Sequence, residues 1–418
     1  MGTGELTVNP ARTLAELKEL RALTGDENGA QRVAWTETWA RARAWMRAKL
    51  ADLPAEVFTD EAGNQWATLR GKSERELLIG GHIDSVPNGG WLDGCLNLVA
   101  GLEVLRRLAA QGTPPVTVRL VDWADEEGAR FGRSVFGSSA ASGYFNPEVQ
   151  ATLVDRDGIT LPEAVGAFGI DLRTAHLASR QLAKAAAYLE LHIEQGPVLE
   201  RMGLPLGVVL GTFGVERNRI IWRGQAAHAG STPMDRRKDA LAGAAKLALH
   251  IREIAREVGD GAVCTSGGVV CSPGIVTSVV ETAEQLLDQR HLDGEKLARM
   301  LAMAQEASRR FAEEEQISVE WHPLWRIAPI PFHPELMDLC DEAIRETCGT
   351  SHRLPSGPLH DDAEVCRAGV PTVMLFVQSL RGISHNKIED TLEEHIALSV
   401  RALDRLADKT IAWIEGHI

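Results

Sequence analysis

The sequence lacks features that several classes of protein require. Its six cysteines lie at irregular spacings and form no Cys-x-x-Cys pair, which fits neither a disulfide framework nor a thiolate zinc site. Positive charge is also scarce, because 44 Lys and Arg oppose 58 Asp and Glu and the formal net charge is −14. Since phosphate contacts need clustered Lys and Arg, this balance argues against nucleic-acid binding. We expect the thiols to be free and buried.

Long hydrophobic runs are missing as well. No apolar run approaches the roughly 20 residues needed to cross a bilayer, and residues 1–11 lack the basic and apolar regions of a secretory signal. We therefore expect a cytoplasmic protein. The 418 residues, 44% of them hydrophobic, have a globular composition and predict two or three domains. A chain of this length needs no metal or disulfide to fold, so any metal would serve chemistry.

Hydrophobic periodicity predicts alternating strands and helices in the first part of the chain. Strands are predicted over 65–69, 76–79 and 116–123, with two helices over 13–53 and another over 98–111. This alternation is typical of a largely parallel sheet covered by helices on both faces. Sites in such folds form at the carboxyl ends of the strands.

A second region interrupts this pattern and has its own helices and strands. Helices are predicted over 239–258 and 294–315, and a strand over 279–290. After this region, a helix, a strand and a final helix resume the first pattern. We therefore predict an α/β fold with a mixed, mostly parallel sheet flanked by helices, and an inserted α+β domain. The predicted boundaries are 1–212 and 328–418 for the first domain and 213–327 for the insertion.

Carboxylates and a histidine follow the predicted strands. His82 and Asp84 lie two residues apart in an extended segment, so their side chains share one side of it. Glu126 and Glu127 follow the next buried strand, where one could bind a metal while the other takes a proton from water. Asp93 lies in a glycine-rich turn that can present a carboxylate.

Two further histidines extend this set. His192 lies within an apolar strand, and His385 lies in a loop of small residues after the last predicted strand. Taken singly, a structural role explains each of these residues at least as well as a functional one. Taken together, three histidines and several carboxylates at strand ends supply nitrogen and oxygen ligands for two divalent ions, with Asp93 able to bridge them. No thiolate is needed, so zinc, manganese or cobalt is chemically acceptable.

Six short motifs lie in order along essentially the whole chain. They span residues 81–85, 90–94, 125–131, 191–196, 227–234 and 382–385. Together they resemble the hydantoinase/carbamoylase group of dinuclear metallo-amidohydrolases. That group includes N-carbamoyl-L-amino-acid hydrolases, allantoate amidohydrolases and β-ureidopropionases, and it is related to aminoacylases and metallo-carboxypeptidases.

The resemblance implies roles for particular residues. It implies that Glu126 is the general base and that Asp84 orients His82. It also implies two divalent metal ions whose ligand sets share one carboxylate. These sets are His82, Asp93 and His192 for one ion, and Asp93, Glu127 and His385 for the other.

The inserted region resembles the lid and dimerisation domain of the group, which implies a homodimer. His228 lies in the motif 227–234 and would donate to the oxyanion in the partner subunit's site; its structural alternative is a capping role before Ser231. Arg290 would clamp the substrate carboxylate, a task suited to the planar guanidinium. The resemblance implies four substrate-side residues: Gln195, Arg217, Arg290 and His360.

The chain departs from the pattern of the group at Thr277, Pro358–Leu359 and Asn97, so the substrate is less defined than the metal chemistry. We predict hydrolysis of a linear C–N amide or ureido bond on a small carboxylate-bearing molecule, with an N-carbamoyl-L-amino acid as first choice. The alternatives are an allantoate amidohydrolase or β-ureidopropionase, and an aminoacylase or dipeptidase. A non-catalytic dimeric binding protein is the alternative outside this class, and the complete ligand set argues against it.

Overall fold

The computed structural model describes residues 7–417, and local signals explain where its helices begin. The side chain of Asn9 accepts the amide N–H of Arg12, and Pro10 takes the first helical position, where no amide donor is needed. The α-helices are α1 (Pro10–Thr24), α2 (Glu37–Leu50), α3 (Cys95–Gln111), α4 (Phe136–Ser142), α5 (Pro147–Gln150), α6 (Leu161–Gly166), α7 (Val198–Met202), α8 (Ala240–Val258), α9 (Gly294–Glu315), α10 (Pro334–Cys348), α11 (Asp361–Arg367) and α12 (Glu393–Gly416). Among the described residues, no helix is long and apolar enough to cross a membrane.

The strands include those that the sequence predicts over 65–69, 76–79 and 116–123. They are β1 (Gly25–Asp26), β2 (Gly29–Ala30), β3 (Glu56–Thr59), β4 (Gln65–Leu69), β5 (Ser73–His82), β6 (Val116–Trp123), β7 (Ala185–Ile193), β8 (Leu206–Thr212), β9 (Gly214–Arg223), β10 (Ala227–His228), β11 (Val263–Ser272), β12 (Ser278–Val279), β13 (Thr282–His291), β14 (Ser318–Ile327), β15 (Ile330–Pro331), β16 (Arg353–Ser356) and β17 (Thr372–Val377).

The chain divides into two compact units. The first comprises the chain up to Gly211 and from Phe332 onward, and the second comprises Thr212–Pro331. In the first unit the strand order is β8-β17-β7-β5-β6-β4-β3, and β16 pairs with β8. The central strands β17, β7, β5 and β6 run parallel, whereas β8, β4 and β3 pair antiparallel with their neighbours. The sheet is mixed, which confirms the predicted α/β class.

Both faces of this sheet are buried. Along β5, Leu77 and Ile79 belong to one hydrophobic cluster and Leu78 to another, because successive side chains of a strand point to opposite faces. Val118 and Val121 of β6 divide between the two clusters in the same way. Burial on both faces explains why these strands read as nearly continuous apolar runs in the sequence.

The parallel strands bring polar residues to one edge of the sheet. His82, the last residue of β5, is paired in register with Trp123, the last residue of β6. His192, near the end of β7, is paired with Phe376 near the end of β17. The carboxyl ends of these four strands therefore position the candidate site.

The second unit is built on an antiparallel sheet of order β11-β13-β9-β14. Its core packs α8 and α9 against this sheet through residues such as Trp222, Leu247 and Met300. The sequence predicts one strand over 279–290, and the structure divides this range, because Val279 ends β12 and β13 begins at Thr282. Val279 pairs with Ala227 of β10, whereas β13 pairs with β9 and β11, so the two segments belong to different sheets.

The six cysteines are free, as expected, but they are not uniformly buried. Cys95 and Cys340 are buried, whereas the remaining four are partly exposed. The expectation of six buried thiols is therefore wrong in four cases, because Cys264, Cys271, Cys348 and Cys366 pack only against the borders of hydrophobic clusters.

Candidate metal centre

The first candidate metal site lies where β5 and β7 end. Nε2 of His192 lies 3.1 Å from Oδ1 of Asp93, and Nε2 of His82 lies 3.7 Å from the same oxygen. All three side chains are almost completely buried. Their ligand atoms lie within 4.8 Å of one another, a spacing that could hold one metal ion.

A second candidate site uses the other oxygen of Asp93. Nε2 of His385 lies 3.4 Å from Oδ2 of Asp93 and 3.3 Å from Oε2 of Glu127. These three residues also place their ligand atoms within 4.8 Å of one another. Each oxygen of Asp93 therefore faces a different group of ligands, which is the arrangement a bridging carboxylate needs.

The ring nitrogens of the buried histidines fit this use. Nδ1 of His82 donates to the carbonyl of Asp84 at 3.2 Å, and Nδ1 of His192 donates to the carbonyl of Ile193 at 2.9 Å. These bonds fix the tautomer in which Nε2 carries a lone pair. Within the described residues, neither Nε2 atom has a hydrogen-bond partner, although both are buried against Asp93. A lone pair facing a carboxylate oxygen is repulsive unless a proton or a metal ion lies between them. A divalent ion would remove the repulsion at both histidines at once, so these residues fit such an ion.

Glu126 lies beside the first candidate site. Its carboxylate is 3.8 Å from Nε2 of His82 and 3.5 Å from Nδ1 of His360. Burial raises the pKa of Glu126 well above its ordinary value, and the charges of Asp361 and Glu127 raise it further. Burial and then the charge of Asp93 raise the pKa of Glu127 to about 8. Of these two adjacent carboxyl groups, Glu126 therefore lies beside His82 of the first candidate site and Glu127 beside His385 of the second.

Asp84 holds the turn that carries these carboxyl groups. Its two oxygens accept the backbone N–H groups of Glu126 and Glu127, each at 3.2 Å. Oδ1 of Asp84 also lies 3.5 Å from Nδ1 of His82. Asp125 precedes the turn and has a φ of 56°, a conformation that most residues avoid. Asp84 therefore contacts both His82 and the turn that carries Glu126 and Glu127.

His360, predicted on the substrate side, lies next to the metal centre. Its ring centroid is 4.1 Å from that of His192, and neither ring nitrogen has a hydrogen-bond partner among the described residues. Together with Glu190, these two histidines form a third group of closely spaced ligand atoms. His192 already faces Asp93, and the substrate-side role of His360 stays a prediction.

Glu389 anchors the loops of the site, and sequence reasoning missed it. Its Oε1 accepts the backbone N–H groups of Leu92 and Asp93, each at 3.1 Å, and its Oε2 accepts the hydroxyl of Ser384 at 2.7 Å. Ser384 also lies 3.1 Å from Oδ2 of Asp93, and Gln195 donates to that oxygen at 2.9 Å. The carboxylate of Glu389 thus holds the loop of Asp93 against the loop of His385.

Glycine at position 90 permits this contact. A Cβ atom at Gly90 would lie 1.9 Å from Cδ of Glu389, a distance that no side chain tolerates. The glycine in the motif 90–94 was a signal that something approaches the backbone closely there. The identity of the approaching group could not be read from the sequence.

A cavity of about 650 Å³ opens beside the candidate metal centre, within the first unit. Its lining combines polar groups of the site, among them Glu126 and Gln195, with three apolar residues. These residues, which we call the apolar lining, are Pro358, Leu359 and Ile383. The cavity is large enough for a small organic molecule.

The remaining predicted residues, Arg217, Arg290 and His228, lie in the second unit. Both arginines donate to the carboxylate of Asp288. Nε of Arg217 donates to Oδ2 of Asp288 at 2.8 Å, and Nε of Arg290 donates to Oδ1 at 2.8 Å. Arg217 also lies 4.9 Å over the ring of Trp325, a cation–π distance. The strand register brings Asp288 directly opposite Arg217.

His228 lies elsewhere in the second unit and is exposed. It is paired with Ser278 between β10 and β12, and Nδ1 of its ring accepts the backbone N–H of Gly230 at 3.1 Å. In the neutral ring this bond places the proton on Nε2. His228 can therefore present a hydrogen-bond donor.

Comparison with known proteins identifies the family. The family model described as "Peptidase family M20/M25/M40" matches residues 78–409, which is most of the chain. The chain belongs to peptidase family M20/M25/M40. Enzymes of this family typically bind divalent metals, and the two ligand groups around Asp93 are the places where this member could hold them.

Relatives of this family member confirm the resemblance to the hydantoinase/carbamoylase group. The chain is 33% identical over 380 residues to an N-carbamoyl-L-amino acid amidohydrolase of Geobacillus stearothermophilus, covering 90% of this chain and 92% of the relative. It is also 33% identical over 388 residues to an allantoate amidohydrolase of Escherichia coli (strain K12), covering 92% and 93%.

A solved structure gives the same result for the fold. A hydantoinase/carbamoylase family amidase from Burkholderia multivorans matches with a TM-score of 0.88 at 29% identity, covering 96% of this chain and 98% of the other. This member of the M20/M25/M40 family is therefore an enzyme, a metal-dependent amidohydrolase that acts on linear amides.

Proposed function

We propose that this enzyme hydrolyses an N-carbamoyl-L-amino acid. Water adds to the carbamoyl carbon, the bond from that carbon to the terminal nitrogen breaks, and ammonia leaves. The remaining carbamate decomposes to carbon dioxide and the free L-amino acid. Support comes from one observation above all, the position of Glu126 next to two ligand groups that share Asp93.

The proposal assigns two divalent ions to the residues around Asp93. His82 and His192 would share one ion with Asp93, and Glu127 and His385 would share the other with the same carboxylate. Zinc, manganese and cobalt all suit such nitrogen and oxygen ligands. Two bound divalent ions would supply Lewis acidity, which makes a water molecule more acidic and a carbonyl carbon more electrophilic.

Glu126 is the proposed general base and acid. It accepts a proton from the attacking water and then delivers it to the leaving nitrogen, so that no proton is lost overall. Asp84 supports this role because it binds the backbone N–H of Glu126 and keeps the turn in place. Glu126 is buried except where it lines the cavity, so its carboxylate faces the space in which the substrate would bind.

The second unit supplies the proposed substrate and oxyanion contacts. We propose that Arg290 binds the substrate carboxylate, with Arg217 held beside it by their shared partner Asp288. We also propose that the protein is a homodimer formed through the inserted domain, and that Nε2 of His228 donates to the oxyanion in the partner subunit's site. Nδ1 of His228 accepts the backbone N–H of Gly230, which leaves Nε2 as the donor of the neutral ring and supports this role. In the first unit, Gln195 lines the cavity, and we propose that it contacts the substrate there.

Ammonia release tests the proposal. Metal-stripped enzyme is assayed with and without added manganese, cobalt or zinc on N-carbamoyl-L-amino acids, N-carbamoyl-β-alanine and allantoate. We expect metal-dependent ammonia from the N-carbamoyl-L-amino acids, and the Glu126→Gln variant is the negative control. Allantoate is the second candidate, because the Escherichia coli relative is as similar as the carbamoylase. No ammonia from any carbamoyl compound, together with cleavage of N-acyl or peptidyl amides, would contradict the proposal.

A further inference from the structure

The cavity beside the metal centre has hydrocarbon groups in its lining that the proposed chemistry does not use. Glu126 and the proposed metal ligands Asp93, Glu127 and His385 can handle the ureido group, and Gln195 adds an amide. Pro358, Leu359 and Ile383 carry no polar side-chain atom, yet each faces the same cavity and is only half-buried. Exposed hydrocarbon inside a polar site is unfavourable in water unless a ligand covers it.

We propose that the apolar lining receives the side chain of the substrate and selects N-carbamoyl amino acids whose side chain is a hydrocarbon. This inference rests on the proposed function, because it concerns the same cavity. Leu359 is the main determinant of this selectivity, because it directly precedes His360 in the sequence. The ring of His360 lies 3.5 Å from the carboxylate of Glu126. A substrate whose reacting carbon lies near Glu126 therefore has its nearby substituents within the same cavity.

Both segments of the apolar lining are fixed in position. The hydroxyl of Ser356 donates to the carbonyl of Pro358 at 3.0 Å, and α11 begins immediately after His360. On the other segment, Gly382 packs so closely that an added Cβ atom would lie 2.7 Å from the backbone nitrogen of Pro197. Such support keeps Leu359 and Ile383 from moving aside, so shape and polarity can discriminate between substrates.

The apolar lining disfavours the other carbamoyl compounds. Allantoate carries a second ureido group in place of a side chain, and its donors and acceptors would meet hydrocarbon without hydrogen bonds. N-carbamoyl-β-alanine and N-carbamoylglycine carry no side chain and would leave the apolar lining uncovered. The chemistry of the cavity therefore favours a branched or linear hydrocarbon substituent.

The test compares kcat/KM on N-carbamoyl-L-leucine with kcat/KM on N-carbamoylglycine and allantoate. Because each apolar group in a pocket typically changes specificity about 10-fold or more, we expect the wild-type enzyme to prefer the leucine derivative over glycine by at least about 10-fold. Leu359→Asn keeps the branched shape of the side chain but places an amide in the apolar lining. We expect it to lower the leucine-to-glycine ratio about 10-fold, and Leu359→Ala to lower it less.

The matched control is Leu23→Asn, a change of the same type at an exposed position of α1, which should leave the ratio unchanged. The ratio reports side-chain recognition, since a loss of stability would lower both rates together. A wild-type ratio near 1, or a ratio unaffected by both Leu359 variants, would overturn this inference and leave carbamoyl hydrolysis intact. Absence of ammonia from every carbamoyl substrate with metals bound would overturn both proposals.

Discussion

Replacing Glu389 with alanine should weaken metal binding without removing a single ligand. The carboxylate is buried and accepts the N–H groups of Leu92 and Asp93 and the hydroxyl of Ser384. Leaving a buried donor unsatisfied costs about 1–3 kcal/mol, so the two amides predict a loss of about 2–6 kcal/mol in the free energy of unfolding. Changing a residue that supports metal ligands typically lowers metal affinity about 10–100-fold.

Two measurements and two comparison variants make this prediction specific. Urea unfolding of metal-free protein reports stability, and competition with a chelator reports the metal Kd. Glu389→Gln keeps an oxygen acceptor for the amides of Leu92 and Asp93, so it should retain most of the stability. Glu394→Ala removes an exposed carboxylate nearby in sequence and should change neither quantity. A folded Glu389→Ala protein whose metal Kd lies within about twofold of wild type would refute the reasoning.

Three further changes test individual residues. Glu126→Gln should retain both ions but lower kcat about 10²–10⁴-fold, because general acid–base catalysis is lost; normal initial rates would exclude the role. His228→Ala should lower kcat about 10²–10³-fold at unchanged metal content, and undiminished turnover would argue against an oxyanion donor. Gly90→Ala places a Cβ 1.9 Å from Glu389 and should lower the urea midpoint; a wild-type midpoint would show that the two loops separate easily.

Strand ends made the positions of the candidate histidine ligands predictable from the sequence. His82 and His192 end or nearly end apolar runs, and in a parallel sheet such ends meet at one edge. The same reasoning applies to Glu126, which follows β6. Local patterns carry this information because the period of a strand and the direction of a parallel sheet are fixed by backbone geometry.

Contacts between distant loops were not predictable in this way. Glu389 binds Leu92 and Asp93 across almost 300 residues of sequence, and its own segment has no periodic pattern. The division of the range 279–290 into β12 and β13 depends on pairing with different strands, β10 for the first and β9 and β11 for the second, which again requires the folded neighbours. The pairing of Arg217 and Arg290 on Asp288 depends on the register between β9 and β13, and Arg217 and Asp288 are 71 residues apart in the sequence.

Metal stoichiometry tests most directly whether Asp93 serves two ions. Inductively coupled plasma mass spectrometry would count ions per chain in the wild type, in His385→Ala and in Asp93→Ala after loading with zinc or manganese. Because the two oxygens of Asp93 face different ligand groups, we expect two ions, one ion and none, in that order. Retention of one ion by Asp93→Ala, or a single ion in the fully loaded wild type, would contradict the shared carboxylate.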